Sequence, residues 1–382
     1  MTSFPFVPAP LDYSVDWISI ENELHEIIEP MRQTEQSPVW HGEGNVWNHT
    51  KMVCEELVRI EDWQILDEKD RMVLFLAALF HDVGKPLCTK SENGQIVSPN
   101  HAIKGAALIR HFLWRHYAFA GTDETMALRE RIVSFVRLHS LPYQLLDKPE
   151  PRRDIVRSSQ LVSNTQLAIL STADNLGRIY EQKEKSLAKI QFFKQFAEEN
   201  NCLTKTYSFA SNRSRFAYFN ETLTHPTEIM YDDTWGEIIL MSGLPASGKD
   251  YFIERNFRDR PVISLDAMRK KLGVDWTDDQ SSVIQASKEQ AKEYLRKQTP
   301  FVWNATNLSA KIRGSLIRLF TSYGAKVRIV YVETDLATLF ARNKKRQHPV
   351  AESAIAAMLE KLEFPTIWEA DDVEYIANPE RI

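Results

Sequence analysis

The sequence predicts two domains of different class, an all-α N-terminal half and a C-terminal α/β half built on a parallel sheet. Three observations predict this. The chain has 382 residues, more than a single core usually serves. From about residue 15 to 200, apolar positions recur at intervals of three and four, as in Met52, Val53, Leu57 and Val58, which is the period of an amphipathic helix. Beyond residue 232, short β-branched runs alternate with helical stretches, the pattern of parallel strands joined by crossover helices.

Composition narrows the function classes. Hydrophobic residues make up 43% and charged residues 26%, ordinary for a globular chain and wrong for a disordered or fibrous one. A net charge of -5 excludes a general DNA-coating protein, so any nucleic-acid partner must be held by a local basic patch. Cys54, Cys88 and Cys202 form no CxxC pair, which indicates neither a disulfide framework nor a cysteine zinc site and fits a reducing, cytoplasmic compartment. Met1-Thr-Ser-Phe-Pro-Phe lacks the basic start and apolar run of a leader. The longest apolar run, 72–80, is too short to span a bilayer. It reads as a buried helix, and no membrane association is expected.

Taken in chain order, residues 1–200 form the helical domain. Ser98-Pro99 reads as an N-cap followed by proline at the first helical position, and Leu141-Pro142 as a stop. His49, His81, His101 and His139 fall at helix boundaries or beside an acid. His81-Asp82-Val-Gly84-Lys85-Pro86 closes the apolar helix with two metal-capable side chains next to a glycine stop. His25, His111, His116, His225 and His348 read as structural; His111 and His116 lie on a helix rich in aromatics (Phe112, Trp114, Tyr117), where packing is favoured over nucleobase stacking. Residues 201–232 lose the helical period and form a connector with room for a strand or two. In 233–382 strands are expected at 238–241, 262–265, 301–303, 327–332 and 373–376, with helices on both faces of the sheet.

The first of these strands runs through Met241-Ser242 into Gly243-Leu-Pro-Ala-Ser247-Gly248-Lys249-Asp250, and a helix follows. Strand, GxxxxGK loop and helix together are a phosphate-binding P-loop: backbone N–H groups cradle phosphate oxygens and Lys249 reaches the β and γ phosphates. Gly243, Ser247, Gly248, Lys249 and Asp250 are its expected nucleotide contacts. The residue after the lysine is normally Ser or Thr, whose hydroxyl ligates magnesium. Here it is Asp250, and a carboxylate can also bind that ion. Asp266 follows the second strand at the carboxyl end where ligands bind in such sheets, and Arg269 lies one helical turn on. Arg342-Asn-Lys-Lys-Arg346 follows the 327–332 strand and its helix, placed to serve as a lid that neutralises a transferring phosphoryl group.

P-loop, DxxR, the Thr306-Asn307 that follows Trp303-Asn-Ala, and RxxxR together resemble the 5'-OH polynucleotide kinase family. The resemblance spans roughly residues 236 to 382. It implies that Lys249 holds the phosphates, Asp266 accepts the proton of a 5'-hydroxyl, Arg269 with Thr306 and Asn307 holds the acceptor strand, and Arg346, with Arg342, clamps the donor. The expected donor is ATP or another NTP with Mg2+. Asn304 stands where members of the family often carry Asp, so two metal-associated positions differ together. The expectation is a swap, in which Asp250 supplies the carboxylate that position 304 lacks.

The order His49, His81-Asp82, His101, His139, Asp174 resembles the HD phosphohydrolase superfamily, in its versions whose extended ligand set holds two metals. The resemblance implies these six residues as ligands for two divalent ions such as Mn2+, Ni2+ or Co2+, Lys85 as a phosphate-binding cation, and His41 as a substrate-phosphate contact. Asp174 lies mid-helix, where an aspartate without a partner is poorly placed. Joined in one chain, the two halves resemble the bacterial HD domain polynucleotide kinases, which heal broken RNA or DNA ends for a separate ligase. The expectations are a 5'-kinase and a 3'-phosphatase or 2',3'-cyclic phosphodiesterase, with the oligomeric state left open, a homodimer included. Two rivals remain: a small-molecule kinase fused to an HD phosphohydrolase, and an NTP sensor controlling an HD nucleotide hydrolase.

Overall fold

The computed structural model describes residues 6–10, 12–117, 119–275 and 277–379. Residues 1–5, read above for the absence of a leader, and 380–382 lie outside the described residues. The chain divides into two compact units, one from 1–117 and 127–208, the other from 118–126 and 209–382.

The first unit is helical. Its central helix, Glu68–Phe80, is capped by Asp67, whose side chain accepts from Asp70 N. Residues 72–80 of that helix are buried on every side, as the unbroken apolar run requires. It packs against the helices Val46–Arg59 and Asn164–Leu176, which also pack on each other. One antiparallel hairpin, β1 (Lys90–Glu92) and β2 (Gln95–Val97), interrupts the helical pattern.

Two helix boundaries differ from expectation. Ser98-Pro99 does not cap the next helix; Asn100 does, in the left-handed region at φ 60°. The reason is that β2 carries the chain in extended form as far as residue 97 and the Ser98 carbonyl is taken by His101 Nδ1 at 2.9 Å. Leu141-Pro142 opens the short helix Leu141–Gln144, the preceding helix having stopped at Leu138, because proline suits a first turn better than a last one.

The second unit holds a five-stranded sheet in the order β4-β5-β3-β6-β7, from β3 (Glu237–Ser242), β4 (Val262–Ser264), β5 (Val302–Asn304), β6 (Lys326–Glu333) and β7 (Asp372–Ala377). Every pairing is parallel. Alternation along the strands sorts side chains onto two faces. Ile238, Leu240, Val327 and Ile329 join Leu295, Leu316 and Phe320 of two helices on one side, while Ile239, Met241, Val330 and Val332 meet Phe252 and Ile253 on the other. The 201–232 segment carries no strand among the described residues. It carries the helix Asn212–Phe219, capped by Ser211 and seated through rings such as Phe219 on Trp368, centroids 5.4 Å apart.

Candidate metal centre and candidate phosphate site

Three helices and the segments that follow two others bring the six metal-capable side chains together. His49 sits in the first turn of Val46–Arg59, His81 and Asp82 follow the C-terminus of Glu68–Phe80, His101 opens His101–His116, and Asp174 ends Asn164–Leu176. His139 lies just beyond the helix that ends at Leu138. Gly84 makes the approach of His101 feasible: a Cβ there would come within 2.1 Å of the His101 carbonyl, a spacing only glycine permits.

The histidine rings are oriented from behind. Nδ1 donates to the Ala78 carbonyl from His81 (2.7 Å), to Ser98 from His101 (2.9 Å) and to Val136 from His139 (2.8 Å). His49 Nδ1 faces the Gly177 carbonyl at 3.3 Å and Glu43 Oε1 at 3.0 Å. With Nδ1 carrying the proton, each Nε2 is left as a lone pair facing inward. The Nε2 atoms meet in pairs, His49 with His81 at 3.2 Å and His101 with His139 at 3.3 Å.

Asp82 lies between the pairs. Its Oδ2 is 3.2 Å from His81 and 3.6 Å from His49, and its Oδ1 is 3.4 Å from His101 and 3.9 Å from His139. Asp174 Oδ1 is 3.1 Å from His49. Both Asp82 oxygens are buried, with Lys85 Nζ 2.6 Å from Oδ2 and no hydrogen-bond donor on Oδ1 among the described residues. A buried carboxylate amid inward-facing imidazoles, one of its oxygens unclaimed, is the donor set a borderline-soft divalent ion takes, so the residues fit a metal centre. Two groups of three donors share Asp82.

Electrostatics favour the metal-binding form at His139, Asp82 and Asp174, whereas at His81 burial is outweighed by the Asp82 and Asp174 carboxylates, which draw the imidazole upward. Burial pulls the His139 imidazole down to about 3, with His81 and His101 adding to the effect. Burial would raise Asp82, but Lys85 and His81 outweigh it and hold the carboxyl well below its ordinary range. Asp174 is held low in the same way by Arg178, whose guanidinium bonds it at 3.0 and 2.5 Å.

A cavity of ≈ 500 Å³ opens onto the cluster, lined by Asp82, His101 and His139 and by Lys85, His41 and Arg178. His41 Nε2 is 3.5 Å from Lys85 Nζ. Sequence reasoning missed the residue that holds this arrangement, Glu43. Its buried carboxylate accepts from His41 Nδ1 at 2.8 Å and lies 3.0 Å from His49 Nδ1, while its other oxygen accepts from Ile179 N at 2.9 Å. Its position in His41-Gly-Glu43 was the available signal, as was the i, i+4 spacing of Arg178 from Asp174.

In the second unit the P-loop leaves β3 at the centre of the sheet. Gly243 has φ 143°, and a Cβ there would lie 2.2 Å from the Val332 carbonyl on β6, so the loop must begin on glycine. Gly243 N donates to Thr306 O at 2.9 Å, and Asn307 is buried with Nδ2 donating to the Met241 carbonyl at 2.6 Å. Asn307 thus braces the loop from behind. Lys249 Nζ donates to the loop carbonyls of Gly243 and Leu244 at 2.9 and 2.7 Å, and burial lowers its pKa to about 8. Ser247 Oγ is buried without a hydrogen-bond partner among the described residues.

The charged residues predicted around the loop come together in part. Asp266 pairs with Arg269, and Arg346 NH2 stands 3.6 Å from its other oxygen. Arg342 reaches the Ser247 carbonyl at 3.5 Å and Asn378 Oδ1 at 3.3 Å, a partner the sequence did not reveal. Asn304 Nδ2 donates to Asp250 Oδ1 at 2.6 Å, so the two positions that depart together from the expected pattern are in contact. His116 packs on Phe112, ring centroids 4.8 Å apart.

Residues 45–178 match the HD domain family model. Residues 238–365 match a family model described as an AAA domain. The chain therefore carries an N-terminal HD domain, which implies a divalent metal, and a C-terminal P-loop kinase-like domain, which implies NTP with Mg2+. No curated protein matches the chain. Among solved structures, a candidate kinase from Chloroflexus aurantiacus J-10-fl is 16% identical at a TM-score of 0.33, covering 39% of this chain and 92% of that one. A gluconokinase from Sinorhizobium meliloti 1021 is 20% identical at a TM-score of 0.28, covering 37% and 83%. Among the described residues, no helix is long and apolar enough to cross a membrane.

Proposed function

We propose that the chain is a nucleic-acid end-healing enzyme, which phosphorylates 5'-OH ends in its P-loop domain and removes 3'-phosphate or 2',3'-cyclic phosphate ends in its HD domain. The observation that carries the kinase half is Asp266. Its carboxylate is 68% exposed yet fixed between Arg269 and Arg346, at the carboxyl end of the sheet where substrates bind. A base reachable from solvent, with cations on both sides, suits an acceptor hydroxyl that arrives on a chain of phosphates.

In this reading the loop amides and the Lys249 ammonium hold the donor phosphates. Asp266 takes the proton of the 5'-hydroxyl as its oxygen forms a bond to the γ-phosphorus, and the bond from that phosphorus to the β–γ bridging oxygen breaks to release the diphosphate. Arg346 and Arg342 neutralise the charge on the moving group. Arg269 and Thr306 contact the acceptor strand. Asp250, with Ser247, would hold the magnesium of the NTP, and the Asn304–Asp250 contact supports the swap between those positions.

In the HD domain His49, His81, Asp82, His101, His139 and Asp174 would hold two divalent ions. Such ions supply an activated water and polarise a phosphate oxygen. Around them Lys85 and His41 bind the phosphate, and Glu43 keeps both histidines in one tautomer. A separate ligase would seal the resulting 5'-phosphate and 3'-OH ends.

The test incubates oligonucleotides with 5'-OH and 3'-phosphate or 2',3'-cyclic phosphate ends with ATP and Mg2+, Mn2+, Ni2+ or Co2+. Both ends should be converted, with Lys249→Ala losing only the first activity and Asp82→Ala only the second. Phosphorylation of a small hydroxyl compound but of no oligonucleotide would replace this reading, as would NTP-dependent hydrolysis with no phosphoryl transfer.

A further inference from the structure

The lining of the HD cavity is chemically of two kinds. It includes Asp82, His101 and His139 of the metal-capable cluster with Lys85, His41 and Arg178, and beside them in the chain the indole of Trp40 and the phenol of Tyr180. Those rings lie 6.0 Å apart at an interplanar angle of 52°, so they form an open angle and do not stack on each other. Trp40 is 44% exposed, so much of this large aromatic residue of the cavity lining is open to solvent. Hydrogen-bonding residues, including Gln36, Ser37, Ser140 and Gln144, also line it.

Both aromatic residues are tied to the cluster by backbone. Trp40 N donates to Ser37 O at 3.1 Å, Gly42 N donates to Ile179 O at 2.9 Å, and Ile179 N donates to Glu43 Oε2 at 2.9 Å. The segment bearing Trp40 and the one bearing Tyr180 are thus clamped by the carboxylate that orients His41 and His49. A bare phosphate would use only the ionic residues. A ligand that uses the whole cavity has a planar apolar group, a polyhydroxylated spacer and a phosphate, which is the chemistry of a nucleotide.

We propose that Trp40 and Tyr180 are a stacking platform for the base of the nucleotide whose phosphate is hydrolysed in the HD domain. This rests on the phosphoesterase reading above and deepens it: the HD site selects nucleoside phosphates over phosphate esters without a base. Aromatic stacking tolerates any base, so the platform gives class selectivity without base specificity.

The test uses the full chain loaded with Mn2+ and compares 2',3'-cyclic AMP and 3'-AMP with glycerol 2-phosphate. Trp40→Ala should raise KM for the nucleotides by about tenfold, the loss expected for one stacked base, with kcat little changed and glycerol 2-phosphate unaffected. Trp40→Phe should restore the nucleotide KM. Calorimetric titration of metal-loaded protein with 3'-AMP and with inorganic phosphate gives a readout independent of turnover, in which Trp40→Ala weakens only 3'-AMP. Equal effects on nucleotide and glycerol phosphate, or none on either, would overturn the platform while leaving the phosphoesterase standing. Trp40-dependent binding of 3'-AMP without hydrolysis of any ester would keep the platform and sink the phosphoesterase. Absence of both binding and hydrolysis would sink both.

Discussion

The HD cluster and the P-loop site handle phosphate with opposite degrees of enclosure. In the first, each histidine of the cluster has its Nδ1 fixed on a backbone or carboxylate oxygen, and Asp82 and Asp174 are wholly buried. In the second, Lys249 is buried but rests on carbonyls of its own loop, while Asp266, Arg269 and Arg346 hold one another as side chains at an accessible edge. The difference teaches where each site keeps its organisation. Metal ligands must be desolvated and aimed in advance, since a misaimed imidazole costs affinity directly. A phosphoryl-transfer site gains its final order from the charged substrates that enter it.

The largest expected effects separate the two sites. Asp82→Ala should lower phosphoesterase activity by more than about 10³-fold and strip bound metal measured by mass spectrometry, because it removes the oxygens shared by both donor groups. Asp266→Asn should lower 5'-kinase activity by about 10² to 10⁴-fold, the span of general-base catalysis. Each variant should leave the other activity within about twofold, and parallel loss in a folded protein would break the contrast.

A subtler change tests whether the enclosed site depends on its outer support. Glu43→Gln should cost about 10- to 100-fold in metal affinity, followed by titration with Mn2+. The amide presents a donor either to the two histidine Nδ1–H groups or to Ile179 N–H, so at least one hydrogen bond is lost whichever way it turns. An unchanged affinity would show that the carbonyl behind His49 suffices.

In the open site, Asp250→Ser should lower magnesium-dependent kinase activity by roughly tenfold, and adding Asn304→Asp should recover it. No recovery in the double variant would separate the two positions despite their contact. The smallest effect concerns pH. Lys249 is held at about 8, below its ordinary 10.5, so kcat/KM for NTP should fall by about threefold from pH 7.5 to 8.5 as the free protein loses the ammonium. Lys249→Met should flatten that profile. The sign for stability is opposite: between about 8 and 10.5 the folded chain is neutral here while the unfolded chain stays protonated, so this group's penalty on folding shrinks as pH rises.

Much of the fold was legible because its signals are local. All five sheet strands fall within a residue or so of the β-branched runs, and the buried 72–80 helix follows from an apolar run that no amphipathic surface could accommodate. Ser98-Pro99 misled because a hairpin and a histidine claimed the residues that local capping rules assign to a helix start. The connector helix was hidden because its aromatics gain their burial from distant partners such as Trp368, which a local period does not register.

By itself the sequence determined the two fold classes, the P-loop and the six metal-capable residues, since these rest on spacing along one element or on chemistry of single side chains. Only the tertiary structure decided that Asp82 lies between two histidine pairs, that Glu43 serves two rings at once, and that Asp250 meets Asn304. These are contacts between residues far apart in the chain or, for Glu43, set by how one loop folds back on another. Their energies depend on burial and direction, which distance in sequence does not encode.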